Sequence, residues 1–278
     1  MNNQINNVNV RKGKHAPTKF HNVKTSYARR VMDEVSVNDD QSHAAEAFPI
    51  KRLLNNRILS SLPDGDFERL LPDLEPVSLS AGEHLCKPDE QFDWVYFPED
   101  SIVSHLRVLE NGNSSEIAVV GKDGIVGLSA VFAGAPPSYW TEVLIGGTAL
   151  RIRIDRLKAE FNCGGALQSL LLNFASEQFD RTAQRAVCNN HHVVEERLCN
   201  WLLTVLDRAA YNQLPLTQDQ IARHLGVHRP GITLAALSLR EKGLIDYSRG
   251  NLSIVDRDGL EQLSCECYAT VKENLFAH

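Results

Sequence analysis

No run of apolar residues in this 278-residue chain approaches the ~20 needed to span a membrane. The N-terminus lacks the apolar core of a secretory signal. The expected compartment is therefore the cytoplasm, with no membrane partner. Cysteine is scarce: six residues, at positions 86, 163, 188, 199, 265 and 267, show no regular framework. In a chain of this size they are expected to be free thiols rather than disulfides. A P-loop, a dinucleotide fingerprint, a serine-nucleophile elbow and a metal-protease motif are all missing. Scattered acids and histidines without spacing make no active site, so an enzyme is not expected and no cofactor or metal site is anticipated.

The first 48 residues are Asn-rich and poor in large apolar side chains, so they have little with which to build a core. Their charge is divided. Residues 1–30 carry seven Lys or Arg and no acid, while residues 31–48 carry five acids and no Lys or Arg. This basic arm reads either as a phosphate contact or as a solvated tail.

What the chain does have is the stretch beginning at Leu216, LTQDQIARHLGVHRPGITLAALSLREKGLIDYSRG. Thr217 and Gln220 have capping-box spacing, and Leu216 and Ile221 occupy the two positions of a hydrophobic staple. Ile221 and Leu225 share a face, and Gly226 permits the positive φ of a sharp turn. A second helix is expected from near His228, with Pro230 tolerated in its first turn and Ile232, Ala235, Ala236 and Leu239 on a buried stripe. Gly243 ends it. Ile245 and Tyr247, a turn about Gly250, then Leu252 and Ile254 read as a two-stranded wing. The pattern is a winged helix-turn-helix.

The outward residues of the second helix are Arg229, Pro230, Thr233, Leu234 and Leu237, where a recognition helix would meet the DNA major groove. Arg229 suits a bidentate contact to guanine, Leu234 a thymine methyl, and Arg249 at the wing tip a phosphate. Thr217, Gln218 and His228 complete the expected DNA-binding set. Residues 216–250 carry a net charge of +2 within a chain of −6, so positive field is concentrated where phosphate would lie. A sensor or adaptor whose winged helix contacts protein instead of DNA is the alternative that spacing leaves open.

Upstream, short β-rich runs at Val77–Leu79, Trp94–Phe97, Ile102–Val108, Ile117–Val120 and Leu150–Ile154 are separated by turn signals and preceded by helical spacing over Asn56–Leu62 and Asp66–Leu71. They predict a β-roll or barrel. A helix follows from about Gly165 to Asn190 with two apolar stripes. Leu167, Leu170, Leu171 and Phe174 form one, and Leu172, Ala175, Phe179, Ala183 and Ala186 the other. The first would pack on the roll and the second on the same helix of another copy, giving a homodimer with two recognition helices one DNA turn apart and an inverted-repeat operator. A hinge is expected at Asn189-Asn190. Val194, Leu198, Trp201, Leu202 and Val205 then begin a further amphipathic helix.

This order, together with LTQDQIARHLGVHRPGIT, resembles the CRP/FNR family of transcription regulators over about residues 50–275. The resemblance implies an α+β architecture: an N-terminal β-roll of the cyclic-nucleotide-binding kind (49–162, after an extension over 1–48), a dimerisation helix (163–190) and a C-terminal winged helix-turn-helix (191–278). It also implies transcription control through double-stranded DNA, with RNA polymerase and a small-molecule effector as further partners. Arg229 stands at the family's guanine reader, but Pro230 replaces its Glu and Leu234 a further Arg, so a different operator is expected. In the effector stretch GIVGLSAVFAGAPPSYWT, Gly127 replaces the family's ribose-binding Glu. Pro137, Ser138 and Tyr139 stand near its phosphate-binding Arg-Ser. The degenerate pocket, assigned to Gly127, Leu128, Ser138 and Tyr139, should not take cyclic AMP, because a buried anion would lack a charged partner. The family's N-terminal iron–sulfur cysteines are missing too. Cys265 and Cys267, if helical, would point to nearly opposite faces, and His191, His192, His224 and His228 match no metal spacing.

Overall fold

The computed structural model describes residues 51–248 and 250–276. The N-terminal extension with its basic arm, and the wing-tip Arg249, lie outside the described residues. Helix α1 (Arg57–Ser61) is capped by the Asn56 side chain, which accepts the Leu59 amide at 3.3 Å. Pro63 separates it from α2 (Asp64–Leu70).

Seven strands follow: β1 (Glu75–Leu79), β2 (His84–Cys86), β3 (Trp94–Pro98), β4 (Ile102–Val108), β5 (Ser114–Val120), β6 (Trp140–Ile145) and β7 (Gly147–Arg153), with α3 (Leu128–Ala133) between β5 and β6. They form two antiparallel sheets ordered β1-β7-β3 and β2-β6-β4-β5, the expected β-roll. Two strands lacked a sequence signal. The three residues of β2 are too few to alternate, and β6 is buried at every position but its first. Ile154, expected to end a strand, instead begins α4 (Ile154–Asn162), where Asp155 favours the helix start by facing the positive end of its dipole.

The four-stranded sheet is covered on both sides. Val103, Val120 and Val143 face the roll core, whereas Ile102, Val119, Leu144 and Ile145 face a second core built by the C-terminal half of the chain. The period-2 alternation of strands thus serves two cores at once, broken at Ile145, where the β4–β6 register shifts.

Helix α5 runs from Ala166 to His191. Leu167, Leu171 and Phe174 enter the roll core, as its first stripe predicts. Phe174 fits only because Gly124 has no side chain: a Cβ there would lie 2.2 Å from the ring. Along the second stripe Leu172 and Phe179 are 49% and 75% exposed, and Ala183 and Ala186 are also exposed, with Ala175 half-buried. The anticipated hinge is displaced. Asn189 and Asn190 remain helical, the Asn190 amide bonding back to the Ala186 carbonyl, and the break falls at His192, whose backbone is extended.

Helix α6 (Val194–Leu206) then leads through β8 (Gln213–Leu214) to α7 (Gln218–Leu225), α8 (Arg229–Glu241), β9 (Ile245–Ser248), β10 (Asn251–Ile254), α9 (Arg257–Leu263) and α10 (Cys267–Phe276). The wing has one strand more than expected, ordered β8-β10-β9. Leu198, Trp201, Leu202 and Val205 of α6 pack with Ile221, Ile232 and Leu239. Each fully buried aliphatic side chain stabilises this core by roughly 1.5–3 kcal/mol. Among the described residues no helix is long and apolar enough to cross a membrane.

Candidate nucleic-acid interface

The start of α7 is fixed by its own sequence. The Gln220 amide donates to Thr217 Oγ1 at 3.2 Å and the Thr217 amide to Gln220 Oε1 at 2.8 Å, so two otherwise orphaned donors are satisfied reciprocally. Leu216 and Ile221 are both fully buried, as a staple requires. Gly226 ends α7 at φ +64°, turning the chain into α8 with His228 at the N-cap. Tyr247 of the wing donates its hydroxyl to the Leu216 carbonyl at 2.6 Å, locking β9 onto the front of α7.

On α8, Ile232, Ala235, Ala236 and Leu239 are buried. Arg229, Pro230, Leu234 and Leu237 face outward, Leu234 being 69% exposed. Thr233 is different: its hydroxyl donates to Gln218 Oε1 at 2.8 Å, tying the two helices together. Those two side chains set the inter-helix angle and leave Arg229, Pro230 and Leu234 as the open face. Arg229 pairs with Asp219 at 3.3 Å, both largely exposed. Such a solvent pair contributes about 0–1 kcal/mol and yields easily to a stronger anion or acceptor.

The head is seated on the β-roll by a polar layer that sequence reading missed. Glu116 of β5, fully buried, accepts from Ser104 Oγ (2.6 Å), Trp201 Nε1 (3.0 Å) and Arg185 (2.5 Å), and meets His224 Nδ1 at 3.0 Å. It thereby joins two strands, the long helix, α6 and α7. Burial raises its carboxyl, but the Arg185 charge and then the His224 hydrogen bond and charge outweigh this and hold it at about 2. Arg223 of α7 pairs with Glu142 of β6, and Asp123 holds Arg208 (2.7 Å) and Arg181 (3.0 Å). His224 is therefore a buried inter-domain contact. Glu116 stands one residue before the Ile117–Val120 run and carries no sequence signal of its own.

Between the roll and α5 lies a cavity of about 260 Å³, with His105, Leu128, Ser129, Tyr139, Gln178 and Thr182 in its wall. Of the four residues expected at the effector pocket, Leu128 and Tyr139 line it. Gly127 and Ser138 do not. Gly127 is buried at φ +97°, its α-carbon turned toward the Trp94 and Val95 backbone. Ser138 is exposed, and its carbonyl accepts from Arg107 of β4, a cation that lies outside the cavity wall. His105 contacts Thr141 Oγ1 at 3.2 Å and tilts against the Tyr139 ring. Burial pushes the His105 imidazole from 6.5 down to about 4, the Glu116 charge opposing only in part. Because the folded pKa is lowered, the unfolded chain takes up this proton first. The contribution is complete above pH 6.5 and is lost as pH falls towards 4, by about 3 kcal/mol. His105→Gln should flatten that part of the stability–pH curve, measured by denaturant titration at a series of pH values. An unchanged slope would show that His105 does not control it.

One reading of the cysteines requires correction. Cys265 is not helical but sits in the loop after α9, so the opposite-faces rule for helical i, i+2 residues does not apply. Its thiol lies with those of Cys188 and Cys267 in a small buried cluster. His192 contacts Cys267, while His191 and His228 are exposed.

Residues 76–162 match the cyclic nucleotide-binding domain and residues 196–263 the Crp-like helix-turn-helix domain. Among solved structures, FixK2 from Bradyrhizobium japonicum is 17% identical with a TM-score of 0.60, the match covering 69% of this chain and 98% of that one. A CRP/FNR-family transcriptional regulator from Thermus thermophilus is 21% identical with a TM-score of 0.57, covering 68% and 98%. The c-di-GMP-responsive regulator CLP of Xanthomonas campestris is 16% identical with a TM-score of 0.54, covering 69% and 99%. At these identities the structural likeness is one of fold. A search of curated proteins returns no match.

Proposed function

Because the chain belongs to the CRP/FNR family of transcription regulators, we propose that it acts as a homodimer on an inverted-repeat DNA operator. The observation that carries this is the open face of α8. Its back is buried to the last aliphatic residue while Arg229, Pro230 and Leu234 project. Arg229 reads guanine through its planar fork, and Leu234 rests on a thymine methyl. Pro230 offers no side-chain donor or acceptor, so the neighbouring base pair is read by shape. Thr217, Gln218, His228 and Arg249 supply the flanking backbone contacts. The second stripe of α5, largely exposed among the described residues, supports pairing about a two-fold axis, which sets the two α8 helices about 34 Å apart.

The cavity argues against cyclic AMP as the input. Its phosphate would need a cation, and no Lys or Arg lines the 260 Å³ cavity among the described residues. The wall is apolar with neutral hydrogen-bonding groups. It suits an uncharged effector, and a regulator that needs none is the limiting case. An effector works only through unequal affinity for two arrangements of the heads. Where the operator lies relative to RNA polymerase then decides activation or repression.

Operator selection from a random duplex library, followed by salt titration, tests the reading. Selective binding whose log affinity falls steeply with log salt is expected. Binding without selectivity at any salt would overturn it. Arg229→Ala should lose about 10–100-fold of preference at one base position per half-site, the value of one bidentate contact. It should leave the dimer intact. A footprint and preference identical to the parent would remove Arg229 from the reading face.

A further inference from the structure

Three thiols and one imidazole converge where the end of α5 meets the start of α10. Cys188 lies in the last turn of α5, and His192 is the C-cap whose amide still bonds to the Cys188 carbonyl at 3.1 Å, which keeps the two side chains adjacent. Cys265 comes from the loop after α9, and Cys267 opens α10. Their ligating atoms all lie within 4.8 Å of one another. Cys188 Sγ is 3.5 Å from Cys265 Sγ, and Cys267 Sγ is 3.6 Å from His192 Nδ1. Metal–sulfur bonds of about 2.3 Å and metal–nitrogen bonds of about 2.0 Å set the edges of a tetrahedron at roughly 3.4–3.8 Å. Two of the six edges already have that length and none exceeds 4.8 Å, so small side-chain rotations close the four atoms onto a single ion. A polynuclear iron–sulfur cluster, with each thiolate on a different iron, would hold its sulfurs farther apart.

We infer that Cys188, His192, Cys265 and Cys267 form a closed tetrahedral site for one zinc-like divalent ion. The surroundings are those of a ligand set rather than of core thiols. His192 Nε2 faces the Glu266 carboxylate at 3.3 Å, which fixes the tautomer that turns the Nδ1 lone pair toward the sulfurs. Gln184 Nε2 donates to Cys267 Sγ at 3.0 Å and Asn200 Nδ2 to Cys265 Sγ at 3.4 Å, placing amide protons against sulfur charge. Three thiolates and a dication leave one negative charge. Arg197 lines the small cavity onto which Cys188 and Cys267 open, supplying compensation and an entry path. The ion would clamp α10 to the end of the long helix across the break at His192, fixing the direction in which the DNA-binding head departs.

The test uses the full chain, reduced, stripped with a chelator and reloaded with zinc or cobalt. Zinc equimolar with the chain is expected. Cobalt should give the intense ligand-field bands of tetrahedral coordination with thiolate-to-metal charge transfer. Cys265→Ser should lower zinc retention against a competing chelator at least about tenfold, since even outer-shell changes cost that much. Cys163→Ser, which alters an exposed thiol, should retain zinc in full. Failure to take up equimolar metal, an octahedral cobalt spectrum, or retention unchanged by Cys265→Ser would each overturn the site. Should that variant not fold, the cobalt spectrum of the parent protein decides alone.

Discussion

Glu116→Ala should destabilise the protein by about 3–5 kcal/mol, the usual cost of removing one member of a buried charged cluster. The change strands Arg185, the indole N–H of Trp201 and His224 at once, and His224 Nε2 already has no partner among the described residues. The loss should appear both in the melting temperature and as loosening of the head, read by hydrogen exchange in α7. Glu116→Gln separates charge from shape. It keeps an acceptor for Trp201 but gives Arg185 no counter-charge. The pH dependence has a definite sign. With its folded pKa held at about 2, Glu116 contributes fully above its unfolded value near 4.5, and the contribution disappears as pH falls through 2. Glu116→Gln should therefore show a shallower acid limb between those values. A parent-like melting temperature in Glu116→Ala would mean that the polar layer does not hold the head in place.

Phe179→Asp should convert the proposed dimer to monomers and weaken operator binding about 10²–10⁴-fold, the range that a linked second binding event provides. At 75% exposed, Phe179 contributes almost nothing to the core of its own chain, so the monomer should keep its secondary structure. In a two-fold dimer the substitution occurs twice across one seam. It removes two buried rings, each worth roughly 1.5–3 kcal/mol, and brings two carboxylates together. Native mass spectrometry reads the subunit number, and anisotropy on whole and half operators reads the affinity. A dimer that persists with unchanged affinity would move the interface elsewhere.

Much of the winged helix-turn-helix was legible because it is specified over short distances. The Thr217–Gln220 box, the Leu216–Ile221 staple, Gly226 and the α8 stripe each involve residues no more than about two helical turns apart. The β-roll was legible from five strand runs. Strands β2 and β6 were not, since one is short and the other is buried on both faces. The hinge was misplaced because an Asn pair reads as a break, yet here Asn190 returns its side chain to the helix carbonyl at Ala186.

Local pattern fixed five strands of the roll, the long helix and the two helices of the head, with the apolar side of each helix, and hence the order of roll, long helix and head. Propensity, capping and periodicity act between near neighbours along the chain. Only the tertiary structure decided where Glu116 meets His224 and Trp201, 108 and 85 residues away, and that Cys188 meets Cys265, 77 residues on. A buried carboxylate or a cluster of thiols has no period. Its partners are chosen by how the two cores pack against the shared sheet, and that packing is set by both domains together.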